Sequence, residues 1–273
     1  MIDTLSIGML VEDRYKAQSQ PAGMISALQA CGHRVALLDP QSSSYEAGNN
    51  SWLSKFDLII ARGRSLGLLY LLAWAEVQGV PTINRRAAIA SVHNKAEMAV
   101  ALAGKNFPTP RTFLGPVNTL TSQVPDSCYP VIFKPIFGDN SNGLRVVQNS
   151  GEIEGLHWPE ATALVQQYLP SDGCDLKLYG IGDRIWVVRK PASFSPDLTS
   201  NSKLQIECLP TTQALGELGY ECGKLFGLDF YGVDCIHTPD GLVVIEVNDF
   251  PNYTGLTGIG KELANYAVHR AIH

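Results

Sequence analysis

The chain has 273 residues, of which 45% are hydrophobic and 17% charged, a balance that suits a folded globular protein with a sizeable core. Its 21 Lys and Arg against 26 Asp and Glu leave a formal net charge of −5. That excludes a nucleic-acid binder held mainly by phosphate contacts, because no basic excess exists to displace counterions; small anionic ligands need only a local positive pocket.

Residues 5–11 read as a buried strand that begins almost at Met1, with no basic stretch leading into a long apolar one. No signal peptide is expected, and the protein is placed in the cytoplasm. Residues 21–31 read as a helix ended by Gly32, and residues 34–38 as a second strand closed by Asp39-Pro40. The polar, turn-rich residues 41–51 read as a loop. A third strand over 56–61 follows, then a helix over 66–78 stopped by Gly79, and a short strand over 80–83. The apolar stretch 66–77 is too short to span a bilayer and is interrupted by Gly67 and Glu76, so no membrane association is expected. Strands separated by helices predict a small parallel α/β sheet.

A helix with Asn94 near its start runs to about Gly104, and Pro108 and Pro110 mark a joint. From Tyr129 the texture changes to strands joined by glycine-rich turns. Residues 131–134, 144–147 and 163–168 read as strands, and residues 175–179 and 184–189 flank a turn at Gly182-Asp183. A helix is expected over 212–226. A hairpin follows, with strands 231–237 and 242–248 turned at Pro239-Asp240-Gly241, and a final helix covers 261–272. Six cysteines without a CxxC pair, and six histidines without an HxH or HxxxH pair, predict reduced thiols and no zinc site.

The last hairpin carries the clearest chemistry. Glu246 and Asn248 are two apart and share one face of a strand, and the turn brings Asp234 opposite them. Two carboxylates and an amide between apolar neighbours suit Mg²⁺ held jointly with phosphates; the alternative is a strand whose polar residues face solvent. Between Phe133-Lys134 and Leu144, a loop rich in Gly, Asn and Ser follows a strand that ends in lysine. It could lay backbone N–H groups over phosphates, and it reads equally well as a plain hairpin. Residues 164–170 run an apolar strand into Pro170, an arrangement open to pairing with an adenine edge. Arg189-Lys190 at a strand end suits either an anion or solvent.

Taken in order, these pieces resemble the ATP-grasp superfamily, and most of all its RimK-type carboxylate–amine (glutamate) ligases. The matching segments are Asn94-Lys95, Phe133-Lys134-Pro135, Gln167-Tyr168-Leu169, Gly173-Cys174-Asp175 and the trio Asp234, Glu246 and Asn248. Upstream, Arg62-Gly63-Arg64 and Gly79-Val80-Pro81-Thr82-Ile83-Asn84 are similar to the domain that precedes the ATP-grasp unit in those ligases. The resemblance covers nearly the whole chain. It implies an α/β (α+β) ATP-grasp fold with three parts. Residues 1–92 form a small parallel α/β N-terminal domain, 93–168 a central lid with the phosphate loop, and 169–273 a C-terminal antiparallel sheet domain with the metal site.

The same resemblance implies an ATP-dependent ligase that forms an amide through an acyl phosphate. Lys95 and Lys134 would neutralise ATP phosphates, under a loop bearing Gly138, Ser141 and Gly143. Gln167, Tyr168 and Leu169 would bracket the adenine, and Asp175 would lie in the nucleotide pocket. Asp234, Glu246 and Asn248 would hold Mg²⁺, with Mn²⁺ as a substitute, and Arg189 and Lys190 would be catalytic. The partners would be small-molecule or peptide carboxylates and amines, without nucleic acid or membrane; a homo-oligomer is left open.

Three departures stand against this pattern. Ser141 replaces the middle glycine of the family's loop. Thr199-Ser200-Asn201 stands where the ligases carry Arg-Ser-Asn, leaving the transferring phosphoryl to Arg189, Lys190 or Lys203. Asn248-Asp249-Phe250-Pro251-Asn252-Tyr253 resembles the inositol trisphosphate kinases of the same superfamily. The alternative function is therefore a kinase that phosphorylates a hydroxyl, and a third is a nucleotide-binding protein without turnover. Glu246 and the N-terminal segment side with the ligases. Arg62, Arg64 and Arg85 are candidates for holding an anionic substrate group, or are surface cations.

Overall fold

The computed structural model describes residues 4–138, 142–192 and 205–272. Ser141, Thr199-Ser200-Asn201 and Lys203 lie outside the described residues. The chain opens with β1 (Ser6–Val11), α1 (Asp13–Lys16), α2 (Ser19–Ala30), β2 (Arg34–Leu38), β3 (Leu58–Arg62), α3 (Leu66–Val77) and β4 (Thr82–Ile83). These strands form a parallel sheet in the order β2-β1-β3-β4. Its central strands, β1 and β3, are nearly continuous apolar runs, as strands covered on both faces must be. Ser65 caps α3 by accepting the Leu68 N–H at 3.2 Å.

Next come α4 (Arg86–His93) and α5 (Lys95–Gly104). Asn94 divides them: its side-chain oxygen accepts the Ala96 and Glu97 N–H groups at 3.1 and 3.2 Å. A second sheet follows, made of β5 (Thr112–Gly115), β6 (Val131–Lys134), β7 (Arg145–Val147) and β8 (Ala163–Gln167), with α6 (Val117–Gln123) between β5 and β6. It is antiparallel, in the order β5-β8-β6-β7. The last part holds β9 (Cys174–Ile181), β10 (Arg184–Pro191), β11 (Glu207–Leu209), α7 (Gln213–Phe226), β12 (Phe230–Thr238), β13 (Gly241–Asp249) and α8 (Ile259–Ile272). Its five-stranded antiparallel sheet runs β11-β10-β9-β12-β13. The expected mixed α/β architecture is present. Five elements have no counterpart in the sequence reading: α1, α4, β5, α6 and β11. The two strands are short edge strands, defined by the neighbours they pair with rather than by their own pattern.

The parallel sheet and the five-stranded sheet share one core, in which Ile7, Met9 and Ile60 pack with Ile181, Phe230, Phe250 and Leu263. The buried side chain of Asn84 stitches the two sheets together. It donates to the Phe230 carbonyl at 2.7 Å and accepts the Asp229 and Phe230 N–H groups at 2.7 and 2.8 Å. On the other face, the Tyr231 ring fills the space beside Gly180 on β9 and Gly223 on α7. A Cβ at those positions would lie 2.1 and 2.2 Å from the ring, so glycine is what lets α7 seat on the sheet. All six cysteines are unpaired, as expected.

Candidate active site

The three candidate metal ligands converge as the hairpin predicts. Asp234 and Glu246 are direct register partners across β12 and β13, and Asn248 pairs with Gly232 one step further along the same face. A bulge between Asp234 and Cys235 interrupts the ladder beside them, a local twist of the kind that aims side chains at a site. The Asn248 amide donates to Asp234 Oδ2 at 3.4 Å. Among the described residues there is no cluster of three His, Cys, Asp or Glu side chains placed to hold a metal ion. The hairpin offers two carboxylates and one amide, an all-oxygen partial set that fits Mg²⁺ completing its shell with phosphate and water, and not zinc.

Lysines from other elements balance these carboxylates. Lys95, at the start of α5, forms an ion pair with Glu246. Its backbone N–H donates to the Ile136 carbonyl at 3.1 Å, which ties α5 to the glycine-rich loop. Burial alone would raise the Glu246 carboxyl, but Lys95, Lys134 and Arg64 outweigh it and hold it below the usual carboxylate range. Burial pushes the Lys134 ammonium down to about 8; Glu246 opposes that shift and Lys95 adds to it. Lys177, 8% exposed, was not singled out from the sequence. On β9 it is the register partner of Asp234, and its Nζ lies 2.5 Å from Asp234 Oδ2 and 3.8 Å from Asp175 Oδ2. A single lysine between Leu176 and Leu178 was the available signal, because a charge inside an apolar strand needs a partner.

These groups line one cleft of about 560 Å³. Ile132, Leu144, Ile236 and Ile245 give it apolar walls, and Lys95, Lys134, Gly138 and Asn142 line it towards the loop. Gln167, Tyr168 and Leu169 border it, as do Asp175, Lys177 and Lys190. The Gln167 and Tyr168 N–H groups donate to the Arg111 and Pro130 carbonyls, both at 2.9 Å, and so pin the start of this segment. Gly143, with a φ of 77°, does not line the cleft; it shapes the loop's return into β7.

Other residues fall elsewhere. Arg189 is not among the cleft residues: its guanidinium donates to Asp172 Oδ2 at 2.9 Å near the surface, whereas the adjacent Lys190 does line the cleft. Arg62 and Arg64 also line this cleft, Arg64 beside Asn248, while Arg85 is exposed in a separate groove with Glu76 and Arg270. The aromatic residues that gave the kinase-like look are core anchors. Phe250 and Tyr253 are buried, with ring centroids 5.2 Å from those of Phe230 and Tyr179 respectively, whereas Asn248, Asp249, Pro251 and Asn252 of the same segment line the cleft. Both aromatics hold positive φ, at 29° and 53°, a strained turn that their packing sustains.

The described geometry matches known proteins over nearly its whole length. A RimK-like ATP-grasp domain model matches residues 92–270. The chain belongs to the RimK-like ATP-grasp family. A probable alpha-L-glutamate ligase of Maridesulfovibrio salexigens is 27% identical, the match covering 94% of this chain and 90% of that one. Among solved structures, the RimK domain protein ATP-grasp from Sphaerobacter thermophilus superposes with a TM-score of 0.76 at 21% identity, over 98% of this chain and all of that one. The ATP-grasp ligase PsnB complexed with its minimal precursor, Mg and ADP gives 0.72 at 17% identity, over the full length of both chains. This RimK-like chain is an ATP-dependent carboxylate–amine ligase. Among its described residues no helix is long and apolar enough to cross a membrane.

Proposed function

We propose that this RimK-like ligase phosphorylates a substrate carboxylate with the γ-phosphate of ATP and then couples the acyl phosphate to the amine of an amino acid. The observation that carries this reading is the meeting of Asp234, Glu246 and Asn248 with Lys95 and Lys134 in one cleft. The relative named as an alpha-L-glutamate ligase supports an amino acid as the amine, and the PsnB complex supports a peptide as one carrier of the carboxylate.

The adenine would lie between Ile132, Leu144, Ile236 and Ile245. Gln167 would offer its carbonyl and Leu169 its N–H, since the Gln167 and Tyr168 donors are already engaged. Lys95 and Lys134 would neutralise the phosphates, and Asp234, Glu246 and Asn248 would hold Mg²⁺. When bound, the metal supplies charge neutralisation and Lewis acidity at the phosphates. Of the adjacent pair, Lys190 rather than Arg189 would follow the transferring phosphoryl group, since Lys190 lines the cleft and Arg189 is directed to Asp172.

In the first step a substrate carboxylate oxygen bonds to the γ-phosphorus as its bond to the β–γ bridging oxygen breaks, and ADP leaves. In the second, the amine nitrogen attacks the acyl carbon, the carbon–oxygen bond to phosphate breaks, and the nitrogen loses a proton. No covalent enzyme nucleophile is needed. Positioning and charge neutralisation supply the catalysis.

The test is a phosphate balance followed by ³¹P NMR with a panel of carboxylates and amines. One free phosphate should appear per amide, and hydroxylamine should trap the activated acyl group as a hydroxamate. A phosphate monoester accumulating without free phosphate would replace this reading with that of a kinase.

A further inference from the structure

Ile136 stands just beyond the end of β6, where the glycine-rich loop begins, and its backbone is held from two sides. Its N–H donates to the Glu160 carboxylate, lying 3.0 Å from Oε2 and 3.2 Å from Oε1. Its carbonyl accepts the Lys95 N–H at 3.1 Å, and the Gly138 N–H closes the turn onto the Pro135 carbonyl at 3.3 Å. Pro135 has a fixed φ and no N–H, so Ile136 is the first residue after Lys134 whose donor can be captured. One carboxylate and one N–H from the start of α5 therefore set the path by which the chain leaves Lys134.

Glu160 is committed to this contact. It is half-buried, it does not line the cleft, and among the described residues it forms no ion pair. The segment that carries it is anchored on the same strand. Trp158 packs edge-on against Phe133, with ring centroids 5.6 Å apart, and Pro159 stiffens the step from Trp158 to Glu160. Residues 158–160 thus grip the exit of β6 on both sides of Lys134, at Phe133 and at Ile136. Water could satisfy a half-buried N–H, but a carboxylate makes a stronger and more directional bond. The consequence lies in spacing. Lys95 and Lys134 carry like charges that repel, the more so away from bulk water. Their backbones are tied together through one residue, Ile136, and Glu160 fixes that residue.

Resting on the ligase reading above, we propose that Glu160 is a positioning residue for the phosphate subsite: by holding the Ile136 N–H it sets Lys134 against Lys95 at the spacing that the nucleotide phosphates need. It touches no nucleotide. The base end of the cleft, formed by Ile236, Ile245 and residues 167–169, does not depend on this contact.

The experiment is calorimetry of the full-length chain with Mg²⁺, comparing a non-hydrolysable ATP analogue with adenosine, which carries the base and no phosphate. Glu160→Ala should weaken the analogue by about tenfold, the scale of one charge-assisted hydrogen bond, and leave adenosine within about twofold of the parent. Glu160→Gln keeps an acceptor oxygen at the same reach and should restore the analogue to within about threefold. If Glu160→Ala does not fold, Glu160→Asp takes its place; one methylene shorter, it falls short of the N–H and should show the same phosphate-selective loss. An equal loss for analogue and adenosine would make Glu160 a structural support only, and unchanged affinity for both would show that Ile136 needs no clamp. Either result overturns the proposal. Lys134→Met serves as the reference: a loss there with none in Glu160→Ala overturns the role of Glu160 alone. The ligase reading is decided separately, by the phosphate balance.

Discussion

Lys177 and Asp234 face each other as register partners on β9 and β12, with the ammonium 2.5 Å from the carboxylate. Burial would lower the Lys177 ammonium, but Asp234 outweighs it and raises the group above its ordinary value. A lysine thus supplies the countercharge for one of the two carboxylates proposed to hold Mg²⁺, and Lys95 does the same for Glu246.

Removing that countercharge should be costly. Lys177→Met should destabilise the protein by about 2 kcal/mol, below the ~3–5 of a fully buried pair because Asp234 keeps some exposure to the cleft. Urea denaturation measures it. Added Mg²⁺ should restore more stability to the variant than to the parent, since a divalent cation takes over the missing charge. Equal Mg²⁺ responses would show that the ion does not bind beside Asp234.

Glu246→Gln keeps the shape of the side chain and removes its charge. Turnover should fall by roughly 100-fold or more while the circular dichroism spectrum is preserved. A folded variant with near-parent activity would move the metal away from the hairpin.

Lys134 gives a pH signature. Its ammonium sits at about 8 in the free protein because burial disfavours the charge. Phosphates favour the charged form, so nucleotide binding raises this value and takes up a proton once the pH exceeds about 8. Affinity for Mg·ATP should then be constant below pH 8 and fall by up to about tenfold per pH unit above it, until the pKa of the complex is passed. Lys134→Met should weaken binding by about 2–3 kcal/mol at neutral pH and remove that slope. Calorimetry across pH 6.5–9.5 reads both effects.

Asn84→Ala tests the seam between the two sheets. It strips partners from the Asp229 and Phe230 N–H groups and from the Phe230 carbonyl. At ~1–3 kcal/mol for each unsatisfied buried group, discounted where water can enter, the loss should be about 3–4 kcal/mol. Thermal unfolding measures it, and a loss under 1 kcal/mol would mean that the sheets are held by the shared apolar core alone.

The order of strands and helices was legible in the sequence because apolar runs and their Gly, Pro and Asn punctuation are local. Residues two apart on a strand share a face, and a hairpin must set its two arms side by side, so Asp234, Glu246 and Asn248 could be grouped without coordinates. Edge strands such as β11 carry too little pattern of their own to be read this way. Other choices needed the three-dimensional fold, since they depend on which distant segment supplies the countercharge. Lys177 acquires its partner because β9 pairs with β12, and Glu12 accepts the Arg64 and Ser65 N–H groups because β1 lies beside β3 in the parallel sheet. Phe250 and Tyr253 turn into the core, although their spelling in the chain looks like the wall of a pocket. The sequence by itself determined which groups are present and which neighbours share a face. Tertiary structure decided which are buried and paired, because burial and charge compensation come from segments far apart along the chain.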